Sequence, residues 1–360
     1  MMKPMHASGD AAPALLNDVR QLIEQARAHV ASAANSAQTL LYWQVGERIR
    51  REVLGEARAD YGEQIVSTLS TQLVQAYGQG FGLRSLRRMV QFSEAFPDAQ
   101  MVATLSRELS WSHFIEILPL KQPLEREFYA EMCRVERWSV RTLRERIGSQ
   151  LYLRSAIAKK PEGVIAQELS HLHEGGQMTH DLVFRDPYML DFLGLPDGYS
   201  ERDLESAILR EMERFLLELG AGFTFVARQK RISVGADDFY LDLLFYHRHL
   251  RRLVAVELKL EKFQPAHKGQ MELYLRWLDK YDRAAGEESP IGLILCAQAD
   301  TEQVELLDLA SANIRVAEYL DKIPDMKLLR EQLHRSVQRA REQVALGALP
   351  PVSEPDGEEK

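Results

Sequence analysis

Apolar residues recur at helical spacing through the first part of the chain. Leu15, Val19, Leu22 and Ile23 begin a stripe of positions three and four apart, and Leu40, Leu41, Val45 and Ile49 continue it. Ile65, Leu69, Leu73 and Tyr77 mark a second helix and Leu83, Leu86 and Val90 a third, with the Gly-rich turn GQGFG between them. FPDAQ breaks the pattern near Pro97. RWSVRTLRERI then starts a further helix behind Ser139, whose hydroxyl suits an N-cap because it can accept one of the orphan N–H groups. Residues 14–154 therefore read as an all-α domain.

Downstream the period changes. AKKPEGV, HEGGQM and LPDGYS punctuate residues 155–199, which are expected to form a linker with a short helix. YSERDLESAILREMERFLLELG reads as one helix, with Ser200 as cap, Asp203 at the capping-box position and Gly220 as stop. Next come runs rich in Val, Leu, Ile and Phe: FTFVARQ at 223–229, FYLDLLFY at 239–246, LVAVELKL at 253–260 and IGLILCA at 291–297. A helix over about 266–283 separates the last two, IRVAEY offers a fifth strand, and a helix follows at 326–344. The order α-β-β-β-α-β predicts an α/β domain over 200–345, a mixed sheet with helices on its faces. The remainder, 346–360, is expected to be a disordered acidic tail.

Composition narrows the class. No apolar run approaches the roughly 18 residues of a membrane span, and the N-terminus lacks a basic-then-apolar signal layout. Cys133 and Cys296 lie far apart without metal-type spacing, as expected for buried thiols in a reducing, cytoplasmic compartment. The net charge of −8 speaks against nucleic acid, but its distribution is uneven. Up to Arg154 there are 19 Lys and Arg against 17 Asp and Glu, so the excess acid lies downstream. Local placement carries more weight.

Within FYLDLLFYHRHLRRLVAVELKLEKF, residues 239–263, Asp242 interrupts one apolar strand, and Glu257 and Lys259 interrupt the next. Side chains alternate along a strand, so Glu257 and Lys259 share a face. A hairpin centred between His249 and Leu250, with an even loop, pairs Tyr246 with Leu253 and sets Asp242 opposite Glu257. Opposed residues have Cβ atoms about 4.5–5.5 Å apart. Two carboxylates that close repel unless one takes a proton or a cation lies between them. Hard oxygen donors at this separation suit Mg²⁺ or Mn²⁺, with the Leu258 carbonyl as an added ligand. Lys259 can orient or deprotonate a water, or stabilise charge developing on phosphorus. The chemistry implied is phosphodiester hydrolysis. A structural ion pair is the plainer reading of the same three residues.

This setting, an acid on one strand and E-x-K on the next, resembles the PD-(D/E)xK nuclease superfamily. Gln270 and Tyr274 on the following helix match the Q-x-x-x-Y spacing of its RecB-like members, one turn apart with Trp277 and Tyr281 on the same face. FYLDLLFYHRHLRRLVAVELK, GQMELYLRWLDKY and PIGLILC resemble the YhcG family more specifically, as do LYWQVGERI, GFGLRSLRRMVQF, LSWSHF and REFYAEM upstream. The likeness spans about 15–345. It implies a restriction-endonuclease-like domain behind a helical one, with Asp242, Glu257, Lys259, Gln270 and Tyr274 as site residues. The Pro of the superfamily's name is missing before Asp242. A further acid is expected on the first helix of this core, and Glu205, within about 50° of the centre of that helix's apolar stripe, is the choice over Glu213.

Arg84, Arg87, Arg88 and Gln91 share one helical face, and Arg134, Arg137, Arg141, Arg144 and Arg146 form a second basic cluster. Either suits phosphate or a major groove, and a solvated surface is the competing account. His171, His173 and His180 lack supporting ligands, so no metal is expected there. His247 and His249 flank the hairpin turn and are expected to be exposed, and His113 to pack at a helix start. GQGFG lacks the following Lys-Ser/Thr of a phosphate-binding loop. The reading is a Mg²⁺-dependent nuclease acting on nucleic acid, DNA foremost, with no membrane partner and self-association as an option. The alternative is a non-catalytic nucleic-acid-binding or adaptor protein that keeps the fold.

Overall fold

The computed structural model of the chain describes residues 11–54, 59–322 and 324–347. It divides into two compact units, Met1–Arg146 and Ile147–Lys360.

The first unit is helical: Ala11–Ile49, Ala59–Tyr77, Leu83–Ala95, Ala99–Leu105, Trp111–Ile117 and Pro123–Glu136, with Val140–Gly148 at its end. Tyr42, Ile49, Val66, Leu86, Met89 and Val90 form a core between the first three. Gly46 lets the first helix meet the third backbone to backbone, since a Cβ there would fall 1.8 Å from the Met89 carbonyl oxygen. The leading part of the first stripe does not join this core. Leu15, Val19, Leu22 and Ile23 are exposed, whereas its later turns pack against the Leu83–Ala95 helix. Predicted caps are in place: Ser139 Oγ accepts from Thr142 N at 3.1 Å. His113 is buried, its Nδ1 accepting from Ser110 N at 3.0 Å and its Nε2 2.9 Å from the Trp138 carbonyl.

The second unit is built on six strands: β1 (Tyr188–Met189), β2 (Phe223–Val234), β3 (Asp237–His247), β4 (Arg252–Lys262), β5 (Ile291–Gln298) and β6 (Ile314–Leu320). Their spatial order is β1-β6-β5-β4-β3-β2. β2, β3 and β4 run antiparallel, while β4, β5, β6 and β1 are parallel neighbours. A parallel neighbour requires a crossover, and the Pro265–Tyr281 helix supplies it between β4 and β5. Met271, Tyr274 and Leu278 of that helix pack on Leu244, Ala255, Ile294 and Cys296 of the sheet. Ser200 and Asp203 form the expected capping box, and Gly220 (φ 122°) ends the helical stretch. That stretch is two helices, Glu201–Arg210 and Met212–Leu219, because Glu211 leaves helical backbone.

One strand boundary shifts. β2 runs to Val234, past the expected end at 229, because its later half pairs with β3 through Ile232–Phe239 and Val234–Asp237 and buries Ile232 in the core, while its charged side chains suit the sheet edge. The two compact units divide at Arg146, and residues 155–199 lie in the second of them. A buried ion cluster ties Arg154 and Arg185 to Glu218 within that unit. Arg154, fully buried, donates through Nη1 to Glu218 Oε1 at 2.5 Å, Arg185 Nη1 lies 3.2 Å from Oε2, and Met189 N donates to Oε1 at 2.9 Å. Ile157, Ile165 and Leu169 of the same stretch are buried. The acidic tail expected from 346 lies, beyond Gly347, outside the described residues. No described helix is long and apolar enough to cross a membrane.

Candidate active site

The β3–β4 hairpin sets the site's register. Tyr246 pairs with Leu253 and Leu243 with Val256, so the count toward the open end brings Asp242 to Glu257. The regular ladder stops at Leu243, and Asp242 reaches across with its side chain instead. Its Oδ2 accepts from the backbone N–H of Leu258 at 2.9 Å. Leu258 stands between Glu257 and Lys259, so this one bond ties all three motif positions together.

Glu257 is buried, with 4% of its surface exposed. Its Oε1 lies 3.1 Å from Lys259 Nζ and accepts from Gln270 Nε2 at 3.1 Å. Gln270 also donates to Tyr274 Oη at 2.7 Å, and that hydroxyl donates to the Tyr240 carbonyl at 3.3 Å. The helix pair thus acts on Glu257 through Gln270, with Tyr274 as its brace. Trp277 continues the same face away from the acids, donating to the Ser233 carbonyl, and Tyr281 is exposed.

Glu205 is also brought in. Gln229 Nε2 donates to Glu205 Oε2 at 3.0 Å and to Asp242 Oδ1 at 2.9 Å, bridging the helix acid to the strand acid. Glu201, Arg202, Glu205, Ser206, Arg228, Gln229 and Asp242 line one cleft of about 540 Å³. Glu201 accepts from Leu260 N at 3.4 Å. Sequence reasoning misses Gln229 and Glu201. Glu201 has a signal, since it precedes Glu205 by four residues on one helical face.

Burial raises all three carboxyls. Glu257 is pushed up to about 7, by burial first and the Asp242 charge second, against the pull of Lys259. Asp242 is raised by burial, opposed by the Leu258 N–H and Gln229. Glu205 is raised by burial and by Asp242. Burial works against the Lys259 charge, yet Glu257, Glu201 and Asp242 together hold its ammonium above the usual range.

Among the described residues, buried Glu257 Oε2 has no hydrogen-bond partner. An unsatisfied buried oxygen costs about 1–3 kcal/mol, more when charged, and a cation would satisfy it. Among the described residues no cluster of three or more His, Cys, Asp or Glu side chains is placed to hold a metal. A cation here would draw on Asp242, Glu257, the Leu258 carbonyl, water and phosphate oxygens, which fits an ion that keeps its waters.

The YhcG PDDEXK nuclease domain family matches residues 181–334, and the DUF1016 N-terminal domain family matches 18–154. A protein of Escherichia coli (strain K12), "Putative nuclease YhcG", is 33% identical over 346 residues, covering 88% of this chain and 92% of its own. The chain belongs to the YhcG family. Solved structures similar to this YhcG-family chain include a repair endonuclease from Pyrococcus abyssi (22% identity, TM-score 0.25, covering 36% of this chain and 50% of the other). An EndoMS–dsDNA complex is similar at 15% identity and TM-score 0.27, over 36% of this chain and 49% of the other.

The helical unit keeps its basic residues on the surface, but most are engaged. Arg87 pairs with Glu63, Arg141 with Glu145 at 3.0 Å and Arg144 with Glu116 at 2.6 Å, while Gln91 donates to the Leu118 carbonyl at 3.2 Å. Arg84 and Arg88, one turn apart on the Leu83–Ala95 helix, have no ion-pair partner among the described residues. His247, expected to be exposed, is fully buried. Its Nδ1 accepts from Leu250 N at 3.1 Å inside the hairpin turn, and burial lowers it to about 4.

Proposed function

We propose that this protein is a divalent-metal-dependent nuclease that hydrolyses phosphodiester bonds of nucleic acid, DNA foremost. The observation that carries the reading is the unpartnered, buried Oε2 of Glu257 beside Asp242 and Lys259. Asp242, Glu257 and the Leu258 carbonyl would hold Mg²⁺ or Mn²⁺. The bound ion supplies Lewis-acid polarisation of the phosphoryl oxygen and acidifies a water.

The chain's own groups do the rest. Lys259 keeps its proton at Nζ because the surrounding acids outweigh its burial, which favours steering the water and stabilising charge on phosphorus over deprotonation. Gln270 fixes the Glu257 rotamer, and Tyr274 braces Gln270. Glu205 joins the acids through Gln229. In the helical unit, Arg84 and Arg88 are the side chains best placed to meet phosphate, with Arg87, Gln91, Arg141 and Arg144 first having to leave their present partners.

The test is cleavage of plasmid, single-stranded DNA and RNA with Mg²⁺, Mn²⁺ or EDTA, beside Glu257→Gln and Lys259→Ala. Metal-dependent cutting that both variants lose by at least about 100-fold supports the reading. Equal cutting by variants and wild type sinks it. A protein that binds nucleic acid but never cuts it is an adaptor on a nuclease fold.

A further inference from the structure

The cleft before Asp242 poses an electrostatic problem for a phosphodiester substrate. Glu201, Glu205 and Asp242 line it, and each nucleotide brings a further negative charge. The cations in the cleft wall are Arg202, from the first turn of the Glu201–Arg210 helix, and Arg228, from β2. Both are exposed. Among the described residues neither has a carboxylate within ion-pair distance, although three acids share the cleft with them. Several guanidiniums of the same unit outside the cleft are engaged: Arg154 and Arg185 with Glu218, Arg231 with Asp238, Arg251 with Glu288, Arg341 with Glu162.

The backbone supplies a second observation. Gln229 has φ 41°, the left-handed region, inside β2. Side chains of consecutive strand residues normally face opposite ways. Here Arg228 and Gln229 both line the cleft, and Gln229 is the amide that holds Glu205 and Asp242.

We propose that Arg202 and Arg228 form a phosphate grip, one guanidinium from the helix wall and one from the strand wall. They take non-bridging oxygens of the nucleic-acid backbone that flanks the bond presented to Glu257 and Lys259. The grip rests on the nuclease reading of this site. Its ligand is the phosphodiester backbone itself, so it positions the strand without reading bases. The planar fork of Arg matches two phosphate oxygens at once.

The experiment uses the full chain in an Arg84→Ala/Arg88→Ala background, which reduces the helical unit's share of binding. A short fluorescent oligonucleotide is titrated in Ca²⁺ across a series of NaCl concentrations. Arg202→Ala/Arg228→Ala is expected to weaken binding by at least about 10-fold and to reduce the slope of log K against log salt by about 1 to 2, near 0.7–0.9 for each phosphate no longer neutralised. Arg202→Lys/Arg228→Lys should recover part of both, since it restores charge without the fork, and this rescue separates phosphate binding from misfolding. In Mg²⁺ the Ala pair should raise KM more than it lowers kcat. Unchanged affinity and slope in the Ala pair overturn the grip, as does a parent chain that binds no oligonucleotide at any salt. The nuclease reading is judged separately by Glu257→Gln, which leaves both arginines in place.

Discussion

Asp242 accepts the backbone N–H of Leu258 across the β3–β4 hairpin at 2.9 Å, where a ladder bond would otherwise continue. The bond makes an acid do the work of a backbone carbonyl, and it locks Asp242 to the residue flanked by Glu257 and Lys259. Asp242→Asn keeps an oxygen for Leu258 but removes the charge that a cation needs. Cleavage should fall by at least about 100-fold, with a thermal midpoint close to wild type. Asp242→Ala should lose activity and some stability, because the Leu258 N–H is then left without its acceptor, at a cost of about 1–3 kcal/mol. Full activity in the Asn variant would remove Asp242 from the chemistry.

Gln229 supports two acids with one amide nitrogen, 3.0 Å from Glu205 and 2.9 Å from Asp242. Its role is positioning, since it gathers carboxylates that repel each other. Side chains that orient metal ligands typically contribute about 10–100-fold to metal affinity or activity. Gln229→Ala should therefore weaken Mn²⁺ binding, measured by calorimetry or electron paramagnetic resonance, by about that factor. Adding metal should restore much of the lost cleavage. A loss that excess Mn²⁺ leaves untouched would mean that Gln229 serves the substrate or the fold rather than the acids.

The sequence carries the hairpin register because its information is local: an even turn, two apolar runs and the requirement that side chains alternate. Asp242, Glu257 and Lys259 follow from that arithmetic, whereas Gln270 enters only through the resemblance to the Q-x-x-x-Y helix, because the helix period alone marks it as packing. Gln229 is hidden behind the tight turn at Gly235 and Ala236, which lacks the usual Asn-Gly or Asp-Gly signal of a two-residue hairpin. Pairing Val234 with Asp237, as the structure does, places residue 229 between the pairs Arg228–Leu243 and Lys230–Leu241, opposite Asp242. The Arg154–Glu218 pair is out of reach for another reason. It joins residues 64 apart, and no periodicity encodes a partner at that distance. The burial of His247 escapes for the same cause, since turn residues are exposed by default and only the tertiary packing of Phe223 against its ring says otherwise.

The buried cluster of Glu218 with Arg154 and Arg185 makes stability depend on pH. Burial alone would raise the Glu218 carboxyl, but the two guanidiniums, with the Met189 N–H, hold it below the usual range. An acid whose folded value is depressed stabilises the native state above its unfolded value, near 4.5. That contribution is lost as pH falls through the folded value. Glu218→Gln should flatten this acid limb in urea melts at a series of pH values. It should also destabilise the protein near neutrality by about 3–5 kcal/mol, because two buried guanidiniums lose their counter-charge. A variant as stable as wild type at pH 7 would show that the cluster contributes nothing net.

Gly46 decides how close the first and third helices of the helical unit can lie. A Cβ at this position would sit 1.8 Å from the Met89 carbonyl oxygen, 2.3 Å from its carbon and 2.9 Å from Val90 N, all backbone atoms that cannot swing aside. In an isolated helix Gly→Ala stabilises by about 0.5–1 kcal/mol. Here the added methyl must push the helices apart and loosen the packing among Tyr42, Ile49, Leu86, Met89 and Val90. Overpacking of a tight core typically costs about 1–3 kcal/mol, so the net effect of Gly46→Ala should be destabilising. Hydrogen exchange should show the loss as faster opening of the Leu83–Ala95 helix, with protection of β4 and β5 in the second unit unchanged. If that helix instead became better protected, the close approach at Gly46 would not be what sets this packing.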